Sequence, residues 1–188
     1  MEFRRHYTRG SEGRQGKKAR QGIITLMKTI TEDDIWQALK EIPDPEIPVV
    51  SLVEMGIVRA VERNLDGGVT VTITPTFSGC PALEVMKTNI ATRLQEMGFS
   101  PVTVRTILSP PWTTDWITEE ARARLKQFGL APPPLHGGDF AVLLFDPVAC
   151  PYCDSENTTL RNNWGSTPCR MIFYCNHCQQ PFEQFKPL

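Results

Sequence analysis

Cys150-Pro151-Tyr152-Cys153 and, after an interval of 21 residues, Cys175-Asn176-His177-Cys178 hold four of the chain's six cysteines. A C-x-x-C turn lets two thiolates grip one ion, and two such turns complete a tetrahedral set of four sulfur ligands. The alternative, two structural disulfides, needs an oxidising compartment, and the sequence shows no export signal of the usual kind. Zinc is the expected ion, because it accepts four thiolates without redox chemistry and closed sites of this type are structural; iron stays open as an alternative. The reading for this end of the chain is a zinc ribbon over residues 146–188, with Cys150, Cys153, Cys175 and Cys178 as its metal ligands.

A segment of that length is short for a core of its own and needs a staple. Structural zinc in finger peptides supplies about 10–16 kcal/mol of apparent binding free energy, coupled to folding. Tyr152, Phe173, Tyr174, Phe182 and Phe185 are expected to form the ribbon's small core, with His177 pointing outward. Cys169 makes five cysteines for four places; the paired spacing leaves it as a packed thiol or as one supporting the ligands from behind. Ahead of the ribbon, Ala131-Pro132-Pro133-Pro134 and His136-Gly137-Gly138 read as a linker over residues 131–145, stiff and then flexible.

Upstream, residues 29–130 carry the patterns of a small α+β unit. Thr31 before Glu32, Asp33 and Asp34 starts a helix whose face is Ile35, Leu39 and Ile42, and Pro43 stops it. The stretch Ile42-Pro43-Asp44-Pro45-Glu46-Ile47-Pro48 is a stiff loop that presents two carboxylates. Ile57 to Glu62 and Val69 to Thr74 read as a hairpin turned at Asp66-Gly67-Gly68, and Leu83, Met86, Ile90, Leu94 and Met97 mark a second helix. Val102 to Leu108 gives a third strand. A last helix, capped at Thr118, carries Ala121, Leu125 and Phe128 and ends at Gly129. The fold class is thus α+β, a helix-hairpin-helix-strand domain followed by a metal ribbon. Trp112 and Trp116 are expected to cover an edge of the core; Asp115 between them has no assigned role.

The 188 residues carry a formal charge of −1, but residues 1–28 alone carry +6 and the remainder −7. That basic start is expected to be a disordered extension, because it lacks apolar periodicity. The acidic body and a ribbon with only Arg161, Arg170 and Lys186 as cations from Cys150 onward disfavour a nucleic-acid module. No apolar run reaches transmembrane length, so the protein is expected to be cytoplasmic, without membrane contact. The chain shows no Ser-His-Asp arrangement, phosphate loop, dinucleotide fingerprint or di-iron Glu-x-x-His motif, and its histidines, His6, His136 and His177, are not placed as catalytic bases.

Cys80 stands just before Pro81, a residue suited to the first turn of a helix. Free amides and the positive end of the helix dipole there favour a thiolate, the state that binds metal. A lone cysteine is equally well a small buried hydrophobe, and Asp44 and Glu46 are equally well solvated turn residues. Sequence spacing does not say whether the three meet.

Asp44-Pro45-Glu46-Ile47-Pro48-Val49, Leu52, Met55-Gly56-Ile57-Val58, Thr74-Pro75-Thr76 and Ser78-Gly79-Cys80-Pro81 resemble the metal-sulfur cluster biosynthesis family that includes SufT-like proteins. Pro110-Pro111-Trp112-Thr113-Thr114-Asp115-Trp116-Ile117, Gly165-Ser166-Thr167, Cys169 and the Tyr174 to Phe182 region resemble its PaaD-type members, which serve phenylacetate degradation. The resemblance implies a non-catalytic accessory or maturation factor for the multisubunit phenylacetyl-CoA 1,2-epoxidase, with the other oxygenase subunits and the reductase as partners. The alternative it leaves is a stoichiometric, electron-transferring subunit of the same complex. On this resemblance Cys80, with Asp44 or Glu46, is expected to hold iron or an iron-sulfur unit transiently.

Overall fold

Val69, Val71 and Ile73 are fully buried, and their alternation with threonine makes β2 (Val69–Ile73) the central strand of a three-stranded sheet. Strand β1 (Val58–Arg63) pairs with it antiparallel and β3 (Val102–Thr106) pairs parallel. A parallel pair needs a crossover, and helix α2 (Leu83–Glu96) supplies it. Met86, Ile90 and Leu94 of α2 meet Ile35 and Leu39 of α1 (Glu32–Lys40) in one buried cluster. Thr31 caps α1 through a reciprocal box with Asp34, whose carboxylate accepts the Thr31 amide at 2.8 Å. The structure, a computed structural model, describes residues 30–138 and 147–187. The expected basic extension over residues 1–28 and residues 139–145 of the expected linker lie outside the described residues.

Helix α3 (Glu119–Gln127) starts at a Thr118 cap and buries Ala121 and Leu125. Phe128, expected on that face, is exposed, because the helix has ended there and the chain turns at Gly129. The turn delivers β4 (Leu130–Ala131), which pairs parallel with β7 (Pro181–Phe185). Beyond β7 the second sheet continues through β6 (Arg170–Cys175) to β5 (Thr158–Asn162), in the order β4-β7-β6-β5.

The ribbon is therefore seated on the first unit rather than merely tethered to it. Phe185 belongs to the main core and meets Trp112 with ring centroids 5.6 Å apart, and the Trp112 indole N–H donates to the Met55 carbonyl at 2.8 Å. Residues 131–138 are fastened by side chains. Asp115 accepts the amides of His136 and Gly137 at 2.9 Å each, while Arg122 donates to the carbonyls of Thr114 and Pro133. Asp115 thus acquires a role that spacing did not show.

Three members of the expected ribbon core sit elsewhere, Phe185 being in the main core. Phe173 and Phe182 stack at 5.7 Å within a cluster that also holds Ala131, Cys150 and Cys175, as expected. Tyr152 is exposed, because it lies at the open tip of its turn, and half-buried Tyr174 has the Arg161 guanidinium 5.0 Å from its ring.

Candidate metal centre and thiol pocket

The two C-x-x-C turns are built alike. Cys150 N–H donates to Ser155 O (3.0 Å) and Asp154 N–H to Cys150 O (2.9 Å); Cys175 N–H donates to Gln180 O (3.0 Å) and Gln179 N–H to Cys175 O (2.9 Å). Asp154 and Gln179 close their turns in the left-handed region, at φ of 58° and 59°. The four sulfurs lie within 4.8 Å of one another, with Cys150 to Cys178 at 3.7 Å and Cys153 to Cys175 at 3.6 Å. A tetrahedron of sulfurs about 2.3 Å from a central ion has edges of about 3.8 Å, whereas a disulfide would bring sulfurs to about 2.05 Å. All six cysteines are free thiols.

The electrostatics fit a cation. Foremost through the Cys178 amide, which reaches its sulfur at 3.4 Å, the Cys175 thiol is pushed down to about 6. Burial and the neighbouring sulfurs push Cys178 up to about 12. Four crowded sulfurs cannot all ionise until positive charge replaces their protons. The donor set therefore suits a divalent ion, which Cys150, Cys153, Cys175 and Cys178 would hold and which would cross-link the two turns. His177 is exposed, as expected.

Cys80 lies in the turn ahead of α2, whose N-cap is Ala82. The Ala82 amide acts to lower its pKa, the direction expected to favour a thiolate. The net effect is the reverse: burial, then the charges of Glu46, Asp44 and Cys169, push this thiol up. Of the hydroxyls flanking it, Thr76 lines its pocket, Ser78 is exposed, and the buried Thr74 hydroxyl has no hydrogen-bond partner among the described residues.

The two carboxylates have separate tasks. Asp44 is 6 % exposed and its Oδ1 accepts the amides of Glu46 (2.8 Å) and Ile47 (2.9 Å), closing the proline-rich turn. Burial raises its pKa despite those bonds. Glu46, on the next turn position but one, lines a pocket of about 10 Å³ together with Cys80, Thr76, Pro81, Pro168 and Cys169. The structure thus places Cys80 and Glu46 on one pocket, with Asp44 shaping the loop behind.

Cys169, expected as a packed thiol or one supporting the ribbon ligands from behind, is packed, but against the other unit. It stands outside the four-sulfur group, buried in the main core, with its sulfur 3.9 Å from Glu46 Oε2 and 3.0 Å from Thr167 Oγ1. Its neighbour Arg170 donates to the Glu46 carbonyl at 2.9 Å and to Glu183 Oε2 at 3.1 Å. The signal available was numerical: five cysteines for four ligand places.

Residues 32–100 match the family described as iron-sulfur cluster assembly protein, and residues 143–186 match the PaaD zinc beta ribbon domain. The chain is 44 % identical over 153 residues to an Escherichia coli (strain K12) protein provisionally named as a subunit of 1,2-phenylacetyl-CoA epoxidase, an alignment covering 81 % of this chain and 91 % of that one. It is 34 % identical over 96 residues to an Fe-S protein maturation auxiliary factor of Porphyromonas gingivalis, covering 50 % of this chain and 90 % of the relative. Among solved structures, a domain of unknown function from Bacillus anthracis aligns over 50 % of this chain and 90 % of its own, at 24 % identity and a TM-score of 0.47.

Proposed function

The chain belongs to the PaaD family, and from that premise we propose that it is an accessory maturation protein for a phenylacetyl-CoA epoxidase, assisting iron or iron-sulfur assembly in the oxygenase or its reductase. The observation that carries this reading is the pocket shared by Cys80 and Glu46, a thiol and a carboxylate brought together from turns 34 residues apart in sequence. Such a mixed, partly open set binds iron less completely than four thiolates do, which suits a cargo that must leave again. Asp44 holds the loop that presents Glu46. The four-cysteine site carries zinc in a structural role, since its ligand set is complete and leaves no position for a substrate.

The name of the Escherichia coli relative supports a second reading, a stoichiometric subunit of the oxygenase, electron-transferring if its ribbon holds iron. Co-expression of the oxygenase subunits with and without this chain separates the two. A maturation protein gives partners full of iron that stay active once it is removed, and Cys80→Ser leaves it folded but the partners under-metallated. Fully loaded, active partners made in its absence would overturn the maturation reading. A purified chain with zinc, no visible absorption and no reducible centre removes electron transfer.

A further inference from the structure

We infer that Cys169, presented by the ribbon, joins Cys80 and Glu46 as the third ligand of a single divalent transition-metal ion, so that the cargo site is assembled across both parts of the chain. The inference rests on the proposed role of the Cys80 pocket and adds the ligand that neither half contains alone. Residues 32–100 carry Cys80 and Glu46, and residues 143–186 carry Cys169.

Geometry comes first. The three side chains line one pocket, and Cys169 is already 3.9 Å from the Glu46 carboxylate. At least one separation among the three ligand atoms exceeds 4.8 Å, so ligation draws the side chains inward by rotation about their own bonds. The backbone that presents Cys169 is fixed independently: its carbonyl accepts the Lys186 amide at 2.8 Å, and Arg170 beside it bridges the Glu46 carbonyl and the Glu183 carboxylate.

Donor chemistry agrees. Two thiolates and one carboxylate suit borderline ions such as Fe2+, Co2+ and Zn2+, and three protein ligands leave the fourth position for water or a partner's ligand. Each ligating thiol gives its proton to solvent as the ion binds.

The test uses the full chain with one equivalent of Zn2+ bound first, followed by Co2+ titration read by sulfur-to-cobalt charge-transfer absorption. Wild type takes up one cobalt with the intensity of two thiolates. C169S and C169A each halve that intensity and weaken the second site about ten-fold or more, while ribbon zinc and the far-ultraviolet spectrum stay unchanged. Cobalt binding by C169S equal to wild type in affinity and intensity, with C80S abolishing it, overturns the inference and leaves the Cys80 reading standing. Absence of any second metal in wild type overturns it as well. Partners loaded with iron to the normal level by C80S would instead defeat the maturation reading, whatever cobalt does.

Discussion

Replacing Phe185 with alanine tests whether the ribbon and the sheet unit unfold as one body. Phe185 is 1 % exposed at the end of β7, and its ring meets Trp112, itself hydrogen-bonded to Met55 beside β1. Truncating a buried phenylalanine costs about 3–5 kcal/mol through lost transfer energy and the cavity left behind. A tilted ring pair contributes about 0.5–1.5 kcal/mol beyond area, which places the loss near 4 kcal/mol. With a urea m-value of about 2–3 kcal/mol/M, the midpoint should fall by about 1.3–2 M. Tryptophan fluorescence and far-ultraviolet circular dichroism, followed in parallel with zinc present, should fall together, as a single cooperative unit requires. Two separated transitions, with the helical signal unmoved by the substitution, would refute the reasoning, since that outcome means the ribbon hangs on its own fold and Phe185 serves it alone.

Gly56→Ala should destabilise the chain by about 2–4 kcal/mol in the same urea assay, because φ is +66° there and a Cβ would stand 2.5 Å from Trp116 Cβ and 2.9 Å from the Trp116 carbonyl; a wild-type midpoint would contradict the packing. Gln179→Gly should stabilise the zinc-bound chain by about 0.5–1 kcal/mol, since the residue is exposed and held at φ of 59°; a lower thermal midpoint would show that the side chain matters more than the backbone. Burial would raise the Glu183 pKa, but the Ser166 amide and hydroxyl and the Arg170 guanidinium together outweigh it and hold it below 4.5. Its contribution to stability is therefore present above pH 4.5 and lost as pH falls through the lower folded value; Glu183→Gln should flatten that part of the acid limb, and an unchanged limb would reject the assignment. Stripping the ribbon metal with a strong chelator should expose the amides of β5 and β6 to hydrogen exchange while those of α1 and α2 stay protected; uniform loss of protection would mean that the metal holds the whole chain.

How much of this was legible in the sequence depended on whether the determinant was local. The helix starts at Thr31 and Thr118 and the β1–β2 hairpin follow from residues within a few positions of one another, and the four sulfurs, gathered from two turns 21 residues apart, are signalled by the repeated pair spacing within each turn. The linker was harder, since Ala131-Pro132-Pro133-Pro134 reads as stiff coil whatever it touches. That Leu130 and Ala131 pair with Glu183 and Gln184 depends on partners more than 50 positions away, and a two-residue strand leaves no periodicity to detect. The direction of the Cys80 pKa was hidden for a related reason. A helix start is a local feature that lowers it, whereas burial and the charges of Glu46 and Cys169, which raise it, come from distant segments.

Cys169 shows how the two metal-related features share one strand. Strand β6 runs from Arg170 to Cys175, so Cys175, of the four-sulfur group, and Cys169, beside the pocket, are six residues apart on one extended segment. At about 3.3 Å per residue that is a span of roughly 20 Å, and a slip of one residue against β7 would turn every side chain of the strand to the opposite face. The register is set at one end by the sulfur cluster and at the other by Arg170 between Glu46 and Glu183. A ribbon that loses its ion keeps the second constraint and loses the first. On the composite-site reading, the constraint that persists is the one beside Cys169, so loss of the ribbon ion should loosen β6 at its Cys175 end while Cys169 keeps its place beside Glu46. The cysteine beside the pocket is thus positioned by Arg170 between the Glu46 carbonyl and the Glu183 carboxylate, and not by the motif that declares itself most plainly in the sequence.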